Sequence, residues 1–317
     1  FHARAAGAEL LEGTTVSGPV RDVRAGRIVG VTARATAAGG RGEPGPEQVF
    51  RAPVVIAADG VSARLATAMG VEKRLDRPMG VAVRTYFRTP RHDDAWMESH
   101  LELWDGPPGR SALLPGYGWI FSLGDGTANV GLGSVSSTAR ATGLDYRDLF
   151  ARWMANAPAE WGFTPENQVG PLRGAALPMA FNRTPHYTQG LLLVGDAGGM
   201  TSPFNGEGIA YAMQAGRVAA DVVAQALARS TPQGRERALQ TYADQMRADL
   251  GGYYTLGRMF VRLIEHPRVM RICTRHGLPR PTLMRFTMKL LADAYERRGG
   301  DVMDRVITAL TKIVPAA

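Results

Sequence analysis

Two stretches of the chain are uninterrupted apolar runs that stop at a turn: Val54-Val55-Ile56-Ala57-Ala58 before Asp59-Gly60, and Leu191-Leu192-Leu193-Val194 before Gly195-Asp196. A short apolar run without alternation, closed by a turn residue, predicts a strand buried on both faces, as in a parallel sheet. The first run is expected to lead into a short helix over 62–69. The second leads, after a loop carrying Pro203, into a long helix over 206–227, where Ile209, Met213, Ala219, Val223 and Leu227 lie close to the helical period. Between the two runs the pattern changes to alternation: Val81, Val83, Thr85 and Phe87, then Leu101 and Leu103, then Leu113, Trp119 and Phe121, then Val130 and Leu132. Breaks at Pro90, 106–109, Gly116 and 124–126 separate these groups, which predicts antiparallel strands.

The remaining elements are simpler. Val20 and Val23, then Ile28 to Ala33, predict two short strands around a turn at Ala25-Gly26, followed by a Gly- and Pro-rich loop over 37–46 and strand character over 48–58. A helix is expected over 144–156, with Leu149, Phe150, Trp153 and Met154 on its apolar face, and a strand over 172–180. From 239 to 313 the pattern is mostly helical, with breaks at Pro267, 277–281 and 299–300. Two buried parallel-type strands flanking an antiparallel insertion describe an α/β (α+β) protein: a Rossmann-like nucleotide-binding domain made of 1–76 and 186–240, an antiparallel-sheet substrate domain over 77–185, and a helical C-terminal region over 241–317.

Composition narrows the class. The single cysteine, Cys273, excludes an intramolecular disulfide framework and any cysteine-rich zinc or iron-sulfur site. The six histidines, His92, His100 and His186 among them, show no ligand spacing, so no metal site is expected. No run approaches the length of a membrane span and no signal-peptide pattern opens the chain, which points to a cytoplasmic protein. Because the chain opens at Phe1, in what resembles the end of a helix, an N-terminal portion of the natural protein is expected to be missing. The net charge is +8, and between Arg258 and Lys289 eight basic residues face Glu265 alone. Apolar residues such as Met259, Leu263, Ile272 and Leu283 interleave with them, so the stretch reads either as a peripheral contact with an anionic membrane, such as the inner face of the cell membrane, or as a solvated helical face. No nucleic-acid recognition motif accompanies the charge, so no nucleic-acid partner is expected.

Two motifs carry chemistry. In Gly195-Asp196-Ala-Gly-Gly-Met-Thr-Ser-Pro203-Phe-Asn-Gly206-Glu207-Gly208-Ile209, a strand ends at an Asp and a Gly-x-Gly opens a helix whose first N–H groups are free to meet partial negative charge. This suits a flavin, with Asp196 on its sugar-like chain and the 206–209 amides on the edge of the ring that becomes electron-rich on reduction. The competing reading is an ordinary glycine turn before a packing helix. Asp59-Gly60, placed between a buried strand and a helix, reads as a second cofactor-side turn or as a plain turn signal. On a strand, Tyr117, Trp119 and Phe121 share one face at period two, either as a flat wall for an apolar ligand or as filling for a sheet core. Gly131 and Gly133 either admit close backbone approach or mark a bulge.

In this order, with an antiparallel sheet between them, the motifs resemble the flavoprotein fold of the aromatic hydroxylases, and most closely the geranylgeranyl reductase family. Pro203-Phe-Asn-Gly206-Glu207-Gly208-Ile209 is similar to that family's Gly-Glu-Gly-Ile form, and Tyr117-Gly-Trp119-Ile-Phe121 with Gly131-Leu-Gly133 resembles its aromatic substrate signature. Ser122 stands where the family usually has Pro, and the family's N-terminal Gly-x-Gly-x-x-Gly is absent from its expected context. The one literal match, Gly40-Arg-Gly42-Glu-Pro-Gly45, opens no expected helix and is read as chance. The resemblance implies bound FAD, held by Asp59, Gly60, Asp196, Pro203, Gly206, Glu207, Gly208 and Ile209. It also implies an isoprenoid lipid substrate on Tyr117, Trp119, Phe121, Gly131 and Gly133, and an external electron donor, NAD(P)H or a redox protein. The implied reaction is saturation of C=C bonds in a polyprenyl chain, of a geranylgeranyl lipid or a menaquinone tail. The alternatives are an FAD-dependent aromatic monooxygenase and a non-catalytic lipid-binding fragment.

Overall fold

A computed structural model describes residues 2–36, 45–137 and 143–316. The Gly-rich loop expected over 37–46 lies mostly outside the described residues, as do Gly40 and Gly42. After a one-turn helix, α1 (His2–Ala5), strands β1 (Thr14–Arg21), β2 (Ile28–Ala35) and β3 (Gln48–Arg51) form an antiparallel sheet in that order. Val23, expected in a strand, sits 99% exposed in the β1–β2 turn, where the Asp22 carboxylate accepts from the Arg24 and Ala25 amides and fixes the bend. The strand character of 48–58 divides in two: β3 joins this sheet, and β4 (Val55–Ala57) turns away at Ala52-Pro53 into another.

That second sheet is the parallel unit. Strand β4 is followed by a 3-10 turn (Gly60–Ser62) and helix α2 (Arg64–Ala68). It pairs parallel with β11 (Leu191–Leu193), in register Val55 to Leu191 and Ala57 to Leu193, and β11 pairs on its far side with the two-residue β10 (Tyr187–Thr188). Leu191, Leu192 and Leu193 are fully buried, as the uninterrupted apolar run requires. In β4 the outcome differs: Ile56 is 43% exposed, because β4 is the sheet edge and pairs only with β11 among the described residues.

The antiparallel insertion is a five-stranded sheet. Strands β5 (Met79–Arg88), β6 (Met97–His100), β7 (Gly116–Ser122), β8 (Thr127–Ser136) and β9 (Gln168–Pro178) lie in the order β6-β7-β8-β5-β9. Leu103 and Leu113, expected in strands, lie outside them and are buried as loop anchors. Helix α3 (Tyr146–Met154) covers one face of the sheet, placing Leu149, Phe150 and Trp153 against Ile120, Val130 and Leu132. Asp145 caps that helix, accepting from the Arg147 and Asp148 amides.

After β11 and a 3-10 turn (Gly195–Gly198) comes α4 (Ile209–Leu227). Its packed stripe agrees with the expected one only at Ala219 and Val223. Tyr211, Ala215, Val218, Ala219, Val222 and Ala226 are buried, whereas Ile209 and Met213 are 76% and 71% exposed. The helix lies so close to the strand end that a Cβ on Gly195 would stand 2.9 Å from the Ala212 methyl. Close approach selects alanine over larger side chains, which ranking residues by hydropathy does not register.

Helix α5 (Pro232–Ile264) runs continuously through residue 240, where a separate C-terminal region was expected to begin. Tyr242 donates to the Leu193 carbonyl (2.8 Å) and Tyr254 to the Met200 carbonyl (2.5 Å), so α5 pins the parallel strand and the loop after it. Burial lifts the pKa of the Tyr254 phenol well above its usual value, keeping it a neutral donor. Helices α6 (Pro267–Gly277), α7 (Pro281–Leu291) and α8 (Val302–Ile313) complete the chain.

Candidate functional site

Because β4 and β11 are parallel neighbours, Asp59-Gly60 and Gly195-Asp196 emerge at the same, carboxyl end of one sheet, the usual place for a ligand crevice in α/β folds. Asp196 is half-buried, and one carboxylate oxygen accepts from the Thr201 hydroxyl at 3.1 Å. Beneath it, buried His186 meets the Gly198 carbonyl through Nε2 at 3.1 Å. Burial pushes the His186 pKa down to about 4, so the neutral ring donates and holds the turn. Asp59 is exposed; its carboxylate accepts from the Leu65 amide at 3.3 Å and its carbonyl from the Ser62 hydroxyl at 2.8 Å, which shapes the turn into α2.

The loop into α4 is built in detail. Pro203 is buried, packed where a side chain on Gly257 of α5 would stand, and serves as the loop's anchor in the core. The Ser202 amide donates to the Glu207 carbonyl (2.8 Å) and the Gly206 amide to the Ser202 carbonyl (3.0 Å), closing a tight bend in which Gly206 takes φ +73°. Only glycine adopts that conformation without strain. The Glu207 carboxylate caps the helix by accepting from the Ala210 amide at 2.7 Å. The amides of Gly208 and Ile209 find no acceptor among the described residues, and a Cβ on Gly208 would stand 3.2 Å from an Asp196 oxygen. A carboxylate, two free amides and a glycine-lined gap between them fit the sugar chain and the electron-rich ring edge of a flavin.

The aromatic strand meets this loop through Tyr117. Tyr117, Trp119 and Phe121 project from one face of β7, with centroids 5.9 and 6.2 Å apart, and the last two rings are stacked at 26°. Gly118 and Ile120 point the other way, onto α3. Thus the sheet-filling role falls to Ile120, and the three aromatics lie half-buried on the face away from α3. The Tyr117 hydroxyl donates to the Asn205 carbonyl at 2.6 Å, joining the wall directly to the loop before α4. Burial raises the Tyr117 pKa, so the phenol remains a donor. Trp119 donates from Nε1 to the Asn129 side-chain oxygen at 2.9 Å, an orienting contact that neither spacing nor motif foretold.

Gly131 seats the indole: a Cβ there would lie 2.3 Å from the Trp119 ring. The register of β8 with β5 is unbroken through Gly131 and Gly133, so neither marks a bulge. At Gly133 a Cβ would stand 3.2 Å from the Val81 carbonyl. Of the predicted residues, Tyr117, Trp119, Phe121, Gly131 and Gly133 lie along the aromatic face, Pro203, Gly206, Glu207, Gly208 and Ile209 on the loop into α4 that Tyr117 meets, Asp196 beside that loop, and Asp59 and Gly60 apart from it in the turn after β4. Thr201 and Asn205 lie within the motif before α4 but have no assigned role there, and His186 and Asn129 belong to no motif; the contacts of all four become visible only in the fold.

The chain is similar to known proteins in both sequence and fold. The family model described as lycopene cyclase protein matches residues 137–295, half of the chain. The menaquinone reductase of Mycobacterium tuberculosis is 33% identical over 253 residues, covering 80% of this chain and 58% of that protein. The digeranylgeranylglycerophospholipid reductase of Methanocella arvoryzae is 30% identical over 251 residues, covering 78% of this chain and 56% of that protein. The chain thus spans less than two thirds of the length of either relative. Among solved structures, a geranylgeranyl bacteriochlorophyll reductase-like protein of Thermoplasma acidophilum shares the fold, with a TM-score of 0.59 at 21% identity over 92% of this chain and 72% of that one. With the family model matched over half of the chain and these reductases among its relatives, the chain belongs to the geranylgeranyl reductase family.

Proposed function

We propose that the protein saturates C=C bonds of a polyprenyl chain, with FAD as its cofactor and an external donor, NAD(P)H or a redox protein, supplying electrons. The observation that carries this reading is the Tyr117–Asn205 hydrogen bond, which makes the aromatic wall and the cofactor-side loop two walls of one site. When bound, FAD supplies hydride to the alkene. Tyr117, Trp119 and Phe121 offer flat apolar surface that aligns an isoprenoid chain and excludes water, while Asp196 and the 208–209 amides hold the cofactor side. The names of the relatives, one acting on menaquinone and one on a digeranylgeranyl lipid, support a polyprenyl substrate. The test is anaerobic: with chemically reduced FAD bound, a polyprenyl lipid is expected to restore the oxidised flavin spectrum in step with saturation of the lipid. Reoxidation that requires oxygen and yields a hydroxylated product would overturn the reading in favour of a monooxygenase.

The same substrate argues for peripheral contact with a membrane, at the inner face of the cell membrane, since a polyprenyl lipid stays in the bilayer. No helix among the described residues is long and apolar enough to cross one. The basic stretch is narrower than its sequence suggested. Lys289 bonds Asp301 and Asp304, each at 2.8 Å, and Arg258 is half-buried, bonded to Thr255. Arg262, Arg268, Arg271, Arg275, Arg280 and Arg285 remain exposed, with Leu263, Ile272 and Leu283 exposed among them. Each arginine near an anionic surface contributes about 1 kcal/mol. Changing Arg262, Arg268, Arg271 and Arg275 to Glu is expected to abolish sedimentation with anionic liposomes. Equal binding of the unmodified protein to neutral and anionic vesicles, insensitive to salt, would refute the attachment.

A further inference from the structure

The wall does not stop at Phe121. Met97 of the edge strand β6 is the direct cross-strand partner of Phe121, so the two stand side by side on the face that carries Tyr117 and Trp119. Met97 is 76% exposed, Trp96 beside it 75%, and Leu123, just past the end of β7, 49%. Single exposed apolar side chains are ordinary, but three large ones gather where the wall ends, away from the Tyr117–Asn205 hydrogen bond. On the other side of Phe121 its partner in β8 is Asn129, whose side-chain oxygen is engaged by Trp119. Apolar surface therefore continues from Phe121 toward the β6 edge and not across β8.

The loop that leads to Trp96 and Met97 is braced. The Ser122 hydroxyl donates to the Arg91 carbonyl at 2.6 Å and the Gly124 amide to the His92 carbonyl at 2.7 Å, which ties the loop to the end of β7. The Arg91 guanidinium lies 4.5 Å from the centre of the Trp161 ring and bonds Asp94 (2.7 Å) and Glu98, residues on either side of Trp96. Ser122 stands where the family usually has Pro, which has no hydroxyl to make this bond. Side chains presented by a braced loop lose little further freedom when a ligand covers them. Length gives them a use. Same-face residues of a strand lie about 7 Å apart, so the wall from Tyr117 to Phe121 is about 13 Å long. At about 1.2 Å per backbone bond, an extended chain of three isoprene units also spans roughly 13 Å, and a fourth unit overhangs Phe121.

We propose that Trp96, Met97 and Leu123 extend the aromatic wall and hold the isoprene units beyond Phe121, so that the protein selects tails longer than the rings alone can cover. The assignment rests on the polyprenyl reading above and adds a length preference to it. The test measures equilibrium binding of tritiated farnesol, which matches the wall, and tritiated geranylgeraniol, one unit longer, to the 317-residue chain, each below its aggregation limit. Geranylgeraniol is expected to bind roughly tenfold more tightly or better, since the added unit buries its apolar surface on the extension. In the Trp96→Ser, Met97→Ser double variant the two affinities should come within about twofold of each other. Ser122→Ala, which keeps every apolar side chain and removes only the brace, should give an intermediate ratio. The replaced side chains are exposed, and thermal melting run in parallel identifies any variant that fails to fold. Equal affinity for the two alcohols in the unmodified chain, both weakened by Trp119→Ala, overturns the extension and leaves the polyprenyl wall standing. Failure of both alcohols to bind overturns both readings, and a length preference that survives in the folded double variant overturns the assignment of these residues.

Discussion

Replacing Trp119 by Ala is expected to weaken binding of a polyprenyl ligand by roughly 30-fold while leaving flavin affinity within about twofold. Losing contact with a large aromatic surface costs about 2 kcal/mol, and each 1.4 kcal/mol is a factor of ten. The indole is the centre of the wall: Tyr117 and Phe121 flank it at 5.9 and 6.2 Å, Gly131 lies beneath it and Asn129 fixes its nitrogen. None of those contacts reaches Asp196 or the free amides of α4, so the flavin side should not register the change. Gly131→Ala should reproduce much of the loss, because the new methyl would lie 2.3 Å from the ring and 2.7 Å from the Val83 carbonyl, forcing the indole off its seat. Combined, the two substitutions should cost little more than the worse one alone, since both remove the same oriented ring. Ligand titrations of the two single variants and the double variant, with FAD titrations beside them, check this. Equal losses of lipid and flavin affinity in Trp119→Ala would show that the wall holds the fold together and is not a ligand surface.

How much of this was legible beforehand depends on whether local pattern or tertiary contact decides. The run Leu191 to Val194 announced its own burial, and the alternation from Met79 to Val135 announced a sheet, because both are local consequences of which faces meet water. The similar run at Val54 to Ala58 misled at Ile56, since whether a strand is central or at an edge depends on neighbours distant in sequence. The α4 stripe misled for a related reason: Ile209 and Met213 fit a helical period as well as Tyr211, Ala215 and Val218 do, and only the proximity of Gly195 to Ala212 decides between them. In the basic segment, charge counted along the chain overstated what reaches the surface, because Lys289 finds its carboxylates on the start of α8 and Arg258 turns inward. At the proposed site, residue type and spacing singled out Asp196 and the aromatics as candidates, but not what orients them. His186 beneath the glycine turn and Asn129 beside Trp119 are ordinary residues given their roles by the fold.

Asp196→Ala is expected to raise the dissociation constant for FAD between tenfold and a hundredfold. A hydrogen bond to a charged group contributes about 1.5–3 kcal/mol, and this carboxylate is the acidic group at the end of β11, beside the free amides of α4. The substitution also removes the acceptor of the buried Thr201 hydroxyl, bonded at 3.1 Å, so some loss of stability accompanies it and could be mistaken for the cause. Thr201→Val separates the two effects, because it removes the same hydrogen bond while leaving the carboxylate in place. The Thr201 variant should therefore melt lower and still bind FAD nearly as well as the unmodified chain, whereas Asp196→Ala loses affinity beyond any change in melting. No Gly-x-Gly-x-x-Gly stands in the sequence context expected of a pyrophosphate loop, so weak FAD binding by this chain is expected. Titrations should accordingly extend to millimolar FAD, read by quenching of flavin fluorescence. FAD affinity unchanged in Asp196→Ala, with the expected fall in melting temperature, would reduce this aspartate to a bracket for Thr201.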